Sequence, residues 1–381
     1  LFPEVVMKKL VLFCFVSFGI FIQGQSQRFT QTDKLINDYI FSGEWQQAKN
    51  LVEEGIRNNP DHPKYYFMKA YMYYLSRYFA ETGMTRDSTI NVVHYYSRTA
   101  IQKAEKLEQT TEIKFYTGCA YGYLARAHGM KQEWWSTYWA AGDCENYLEE
   151  VIEEDPKFYD AYFELGVINY YPSVAVTGFT SFLAWMGGMS GDKELGLDYL
   201  QKVADNGELF KAEAIIALGL IHNNFENDLP QASKYYAKLL SMHPENNFAS
   251  NQKRQIDFTL LINEKGLEYF KSNFETLKVQ FEIDDPQDLN LLGYYFMNQN
   301  RFDDALQIFQ FNVELYPDVA NGYDSLAECY MNRNENQKAI EYYNIAFEKI
   351  PADTTIDEEF KQFLRDNIQE KLEELQTRSN S

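Results

Sequence analysis

The sequence predicts an all-α chain in which about seven helical hairpins stack into one continuous solenoid, closed by a C-terminal capping helix. Three observations lead there. Large rings are abundant and chain breakers scarce, with 29 Tyr, 28 Phe and 5 Trp against 20 Gly and 10 Pro in 381 residues, a balance that favours helices packed on helices over loops. A 34-residue pattern recurs in the C-terminal third, and a fixed period of that length marks stacked repeats. No Pro/Gly/Ser-rich linker interrupts the chain after its first segment, so residues 25–378 are expected to form a single array.

The first segment stands outside the fold. Met7 opens "MKKLVLFCFVSFGIFIQGQSQ", with two lysines, an apolar run from Leu10 to Ile22, and a small residue at Gly24. That is the layout of a secretory leader, and the run is too short to span a bilayer comfortably. Leu1 to Val6 precede the expected start, and residues 1–24 are expected to be lost by cleavage near Gly24. A lipid anchor on Cys14 is not expected, because Phe13 stands where a small residue is wanted. The implied destination is the periplasm or envelope of a Gram-negative bacterium. Without residues 1–24 the chain carries 33 basic and 55 acidic side chains, a net of −22. Nucleic acid and anionic lipid are thereby disfavoured, since both need a basic footprint; neutral or basic partners remain. Cys119, Cys144 and Cys329 are expected as small buried residues, and the odd count leaves open whether Cys119 and Cys144 pair.

Taken in order, the helical elements announce themselves by spacing. Tyr39 belongs to a first helix, answered by Ala48, Gly55 and Pro60 in "FSGEWQQAKNLVEEGIRNNP". Tyr66, Ala70 and Tyr73 mark the next, followed by Gly118 and Tyr121, by Tyr162, Leu165 and Gly166, and by Ile215, Leu218 and Gly219 with Ala232, Tyr236 and Pro244. Residues 250–283 read as a degenerate helical pair. Two regular units come next, 286–319 and 320–353. Tyr323, Leu326, Ala327, Tyr330, Ala339, Tyr343, Ala346 and Pro351 fall at positions 4, 7, 8, 11, 20, 24, 27 and 32. Thirty-four residues earlier stand Leu289, Leu292, Gly293, Phe296, Ala305, Phe309, Asn312 and Pro317, of which Asn312 alone changes type. Positions 4, 7, 8 and 11 share one helix face, and 20, 24 and 27 another. Small residues at 8, 20 and 27 let the backbones approach, and proline at 32 stops the second helix. Residues 356–377 form the charged cap that such arrays need.

This pattern resembles the tetratricopeptide repeat (TPR), and the resemblance implies a right-handed solenoid. The run "GMSGDKELGLDYL" is also similar to the TPR subfamily containing inclusion-body clearance proteins, the match resting on Gly191, Asp192, Gly196 and Leu197 within residues 165–222. Asp192 suits the N-cap of a helix beginning at Lys193. Three units depart from the plain repeat. Position 8 to position 20 should be twelve residues, but Ala70 to Ser97 is 27, Gly118 to Cys144 is 26 and Gly166 to Gly196 is 30. The second to fourth units are therefore expected to carry enlarged, aromatic inter-helix insertions. These would gather Trp134, Trp135, Trp139, Phe179, Phe182 and Trp185, with Tyr78 and Phe79, along one edge, either buried in an added layer or exposed to a partner. A membrane span is not expected there, because Pro172, Gly178, Gly187, Gly188 and Gly191 interrupt the run.

The resemblance further implies a concave groove lined by first-helix positions. Here those are Phe67, Tyr71, Tyr74, Phe115, Tyr123, Phe163, Tyr170 and Tyr171 towards one end, and Asn223, Asn224, Asn290, Tyr294, Asn298, Asn321, Asp324 and Asn332 towards the other. Lys64 is the basic residue at a candidate position, so capture of an acidic tail is disfavoured. No G-x-S-x-G, H-E-x-x-H, Walker A, G-x-G-x-x-G or C-x-x-C motif is present, and the five histidines show no metal-ligand spacing. The expected protein is a non-catalytic scaffold without cofactor or metal that binds a neutral or basic protein or peptide. The alternative is a glycan- or lipid-binding protein whose pocket is built by the aromatic insertions.

Overall fold

The computed structural model describes residues 28–79, 84–174 and 191–379, and their regular structure is helical. Four packed pairs come first: α1 (Gln31–Phe41) with α2 (Trp45–Asn58), α3 (Lys64–Phe79) with α4 (Arg86–Ala104), α5 (Thr111–Met130) with α6 (Trp134–Glu154), and α7 (Tyr162–Val174) with α8 (Lys193–Asn206). There follow α9 (Lys211–Asn224), α10 (Leu229–Met242), α11 (Asn247–Lys265), and two short helices, α12 (Leu267–Ser272) and α13 (Phe274–Gln280). The regular repeats are α14 (Pro286–Asn298) with α15 (Phe302–Leu315) and α16 (Ala320–Asn332) with α17 (Asn336–Lys349), and α18 (Glu358–Ser379) is the cap. The chain divides into two compact units: unit 1 holds residues up to 221 together with 238–248, and unit 2 holds 222–237 together with 249 onwards.

Local chemistry sets the helix starts. Thr30 and Asp33 form a reciprocal capping box on α1, and Asp285 with Asp288 does the same on α14, where Pro286 fills the first position. Thr85, Thr110 and Asp192 accept backbone N–H groups at the starts of α4, α5 and α8. The Asp192 cap anticipated from sequence is therefore present, its Oδ1 3.0 Å from the Leu195 amide.

The turns explain the third unit. Four hairpins close through the same three-residue connection with a left-handed residue in the middle, at Gly43, Gln132, Asn300 and Asn334. The α5–α6 pair thus uses the ordinary turn. Its extra residues lengthen the helices to 20 and 21, against 13 and 14 in α14 and α15. Two added turns per helix, at about 3.6 residues per turn, return each side chain to its original face, so the apolar stripes stay in register. In the second unit most of the added sequence likewise extends α3 and begins α4. In the fourth, α7 and α8 flank a stretch outside the described residues that includes Phe179, Phe182 and Trp185.

Glycines fix the α7–α8 crossing. A methyl built at Gly196 would stand 2.6 Å from Tyr170 N and 2.9 Å from Gly166 O, so α8, lacking a side chain at Gly196, lies directly on the backbone of α7. Gly191, at φ +60°, lies with its Cα side against Asn169 O. Gly191, Asp192 and Gly196, three of the four residues that carry the subfamily resemblance, thus lie where α7 meets the start of α8.

In unit 2 the one position where the 34-residue pattern changes type has its own reason. Asn312 is buried, and its Nδ2 donates to Pro286 O and Asn290 Oδ1, both at 2.9 Å. It ties α15 to the start of α14 by a hydrogen bond where alanine would allow only contact. Asp353 accepts the Ala320 amide at 2.8 Å and so caps α16 from outside its own helix. The cap α18 buries Leu364, Ile368 and Leu375 in the same core.

Asp324 on α16 is 7% exposed, and its Oδ1 has no hydrogen-bond partner among the described residues. Burial, with Glu328 one turn on, pushes its pKa up to about 7, while Lys371 of α18 opposes the rise. Tyr294 of α14 and Tyr343 of α17 also face this acidic pair. Since the folded state holds a proton that the unfolded state, with a pKa of about 3.9, has released, stability falls as pH rises from about 4 to about 7 and then levels. Asp324→Asn is expected to flatten that slope and to stabilise unit 2 at pH 8, on the order of a few kcal/mol. Urea titrations monitored by circular dichroism between pH 5 and 8 check this; an unchanged slope contradicts it.

Candidate functional site

The aromatic positions of unit 1 converge on one another and on the chain itself. Phe67, Tyr71, Phe115, Tyr123, Phe163 and Tyr170 are all buried. Phe210, just before α9, meets Phe163 at 5.0 Å, Tyr71 at 5.6 Å, and Phe67 and Phe115 at 6.1 Å between ring centroids. Asp160 fixes that ring by accepting the backbone amides of Glu208, Leu209 and Phe210. α9 then enters with Ala212 to Ile216, Leu218, Gly219 and Ile221 buried and no residue from 211 to 221 exposed. A helix apolar on every face belongs inside a fold. The expected groove at this end is therefore corrected: its rings are packed around the protein's own α9, because that helix has nowhere else to bury all its faces.

Polar groups follow the rings inward. Tyr123 OH donates to Glu213 of α9 at 2.7 Å, and Tyr71 OH donates to Asn37 at 2.8 Å. Arg126 donates to Glu164 at 2.6 Å, with guanidinium and carboxylate side chains 15% and 2% exposed. The guanidinium also lies 4.4 Å from the Tyr123 ring centroid and 5.3 Å from that of Tyr74. Burial works against the Arg126 charge, yet Glu164 and the neighbouring hydroxyl-bearing rings hold it protonated; burial raises Glu164 above the ordinary carboxylate value. Tyr74 and Tyr171 are half-buried, at 5.2 Å from Tyr123 and 5.5 Å from Tyr170 respectively. Lys64 is also engaged, its Nζ 2.9 Å from the buried Asp33 carboxylate.

Among the described residues unit 2 includes two polar openings. One, of about 370 Å³, lies beside the cap and is lined by Asp285, Pro286, Gln287, Asn290, Val319, Asn321, Thr355, Ile356 and Phe360. Asn290 faces it from a buried position, hydrogen-bonded to Asn312, and Asn321 donates to Gln287 at 3.0 Å. The other, of about 670 Å³, is lined by Asn223, Asn224, Asn227, Leu229, Asn263, Tyr295, Asn298, Gln299 and Arg301. It joins Asn223, Asn224 and Asn298, all anticipated, to Asn227, Asn263, Tyr295 and Gln299, which spacing did not single out. Tyr294 lies elsewhere, donating to Glu328 at 2.7 Å. A signal was available: α9, α11 and α14 each place an Asn in their last turn.

The aromatic edge is seen in part. Trp134 is half-buried, whereas Trp135 and Trp139, one turn apart on α6, are 50% and 67% exposed. Phe179, Phe182 and Trp185 fall outside the described residues, as does the Phe79 side chain. Cys119, Cys144 and Cys329 are buried free thiols, and burial pushes Cys329 up to about 12. Among the described residues no three His, Cys, Asp or Glu gather as a metal site, and no helix is long and apolar enough to cross a membrane.

Recurrent hairpins with a shared turn, glycine-mediated helix contacts and a polar cap define a helical-hairpin repeat protein. Residues 34–81 and 290–353 match the family described as Tetratricopeptide repeat. The chain therefore carries tetratricopeptide repeats in those two stretches. Similar solved structures include the APC/C hetero-tetramer Cut9–Hcn1 (TM-score 0.39, 11% identity, 86% of this chain and 53% of that one). Yeast Tom70 (0.30, 13%, 84% and 68%) and the P58(IPK) TPR domain (0.24, 12%, 90% and 98%) are others. The chain thus spans about half the length of the Cut9–Hcn1 chain it matches. No curated protein matches the sequence.

Proposed function

We propose that this chain is a non-catalytic scaffold of the bacterial cell envelope that binds a neutral or basic protein, with Trp135 and Trp139 as anchors. TPR repeats are general protein-interaction scaffolds, which supports the class. The leader-like segment around Met7–Gln27 supports export. The observation that carries the choice of surface is the contrast within unit 1. Its inner rings are packed around α9, while two tryptophans on α6 are left half exposed or more. Exposed tryptophans are strong anchors at protein interfaces, and the net charge of −21 favours a neutral or basic counterpart.

The test compares the protein with its Trp135→Ser/Trp139→Ser variant in cross-linked capture from envelope extracts. A partner held by the native surface and lost at least tenfold by the variant supports the reading. A partner equally retained by both, or none at all, contradicts it. Far-UV circular dichroism should be the same for both proteins, since neither indole is a core residue.

A further inference from the structure

We propose that the larger cleft of unit 2 is a binding site for a neutral saccharide, separate from the tryptophan surface. Its position is set by three helices whose last turns meet there, α9 with Asn223 and Asn224, α11 with Asn263 and α14 with Asn298. Last-turn carbonyls lack intrahelical donors, and each carboxamide brings two N–H donors and an acceptor. The wall therefore offers donors and acceptors side by side. A sugar hydroxyl is both at once, so a chain of hydroxyls matches this lining group for group.

Charge narrows the ligand class. Among the described residues no carboxylate lines the cleft, and the one cation there, Arg301, is paired with Asp304 at 2.6 Å and lies 4.5 Å over the Phe296 ring. Helix C-termini and an acidic protein oppose an anion, while the Arg301 guanidinium and the want of a lining carboxylate to pair with oppose a cation. An uncharged ligand suits both facts. Size and polarity narrow it further. A cleft of about 670 Å³ lies within the ~300–1,000 Å³ of small-molecule sites. Peptide recognition would call for apolar pockets that receive alternate side chains, and Leu229 is the single aliphatic residue in the lining.

The wall also holds unmet hydrogen-bonding capacity. Asn223 Oδ1 and the Tyr295 hydroxyl are shielded from water and have no partner among the described residues. Native proteins leave few such atoms, and here two fall in one cleft.

The experiment is isothermal titration of the full chain with maltotetraose, cellotetraose, xylotetraose, mannotetraose and chitotetraose, with a neutral Gly/Ser/Asn/Thr decapeptide as the competing class. The same titrations are run on Asn224→Ala/Asn263→Ala/Asn298→Ala, whose three side chains are exposed, so the fold should stand. At least one tetrasaccharide is expected to bind with a Kd below about 1 mM, at least tenfold more weakly to the variant. No saccharide binding, binding that the variant leaves unchanged, or binding of the decapeptide in their place overturns the proposal. Since Trp135→Ser/Trp139→Ser should leave saccharide binding intact, this outcome is independent of the protein-partner reading.

Discussion

Replacing Arg126 by methionine is expected to destabilise unit 1 by about 3–5 kcal/mol, the range for removing one partner of a buried ion pair. Glu164 is 2% exposed, and Arg126 donates to it at 2.6 Å. Gly122 makes the room for the carboxylate, since a methyl there would stand 2.7 Å from Glu164 Cδ. Methionine keeps the flexible stem and favourable sulfur contacts with Tyr123 and Tyr74, so the loss isolates the charge. Proton uptake limits the penalty, because burial already raises the Glu164 pKa. The double variant Arg126→Met/Glu164→Gln, which removes both charges, should regain a substantial part of it. The measurement is convenient because all five tryptophans precede residue 186, so their emission in urea reports on unit 1 alone. A single-variant loss below about 1 kcal/mol would mean that water reaches the pair.

Gly196→Ala is the second change with a large expected effect. In a solvent-exposed helix alanine gains about 1 kcal/mol over glycine. At Gly196 the new methyl would lie 2.6 Å from Tyr170 N and 2.9 Å from Gly166 O, and both neighbours are backbone that no rotamer change can move. Overpacking of this kind costs about 1–3 kcal/mol and occasionally more. With α8 forced from α7, the upper end applies, so a net loss of about 2 kcal/mol is expected after the propensity gain. Gly142→Ala on α6 is the internal control, because nothing lies within 4 Å of its built methyl. It should gain up to about 1 kcal/mol. Equal effects at the two glycines would contradict the close α7–α8 approach.

Much of this architecture is legible in the residues because helical packing repeats its own solution. Gly293 sits against Phe309, a position-8 residue facing position 24, which is the small-to-large pairing that the period encodes. Even the exception at Asn312 is a local hydrogen bond to Asn290. The long third unit was harder to read, because its added residues equal four helical turns and resemble an insertion when only small positions are counted. "GEW" at residues 43–45 and "QEW" at 132–134 share the turn and were the available signal. The filled interior of unit 1 was not legible from groove positions. Whether Tyr71 or Phe163 lines a channel depends on a helix more than 45 residues away in sequence, and periodicity within one hairpin carries no information about that. The clue lay in "AIIALGLI", apolar on all sides and so unable to face water on any. The carboxamide cleft is half legible, since Asn223, Asn224 and Asn298 stand at groove positions whereas Asn263 belongs to the irregular α11.

α9 is the internal occupant around which the rings of unit 1 pack. Amide hydrogen exchange of peptides covering residues 211–221, followed from seconds to hours in the full chain, addresses this directly. Burial on all faces predicts that these amides exchange as slowly as the core of α5, near the limit set by global opening of the unit. Exchange within seconds, at the rate of the turn around Gln132, would mean that α9 leaves the interior readily and that the rings of Tyr71, Tyr123 and Phe163 are open to a ligand after all.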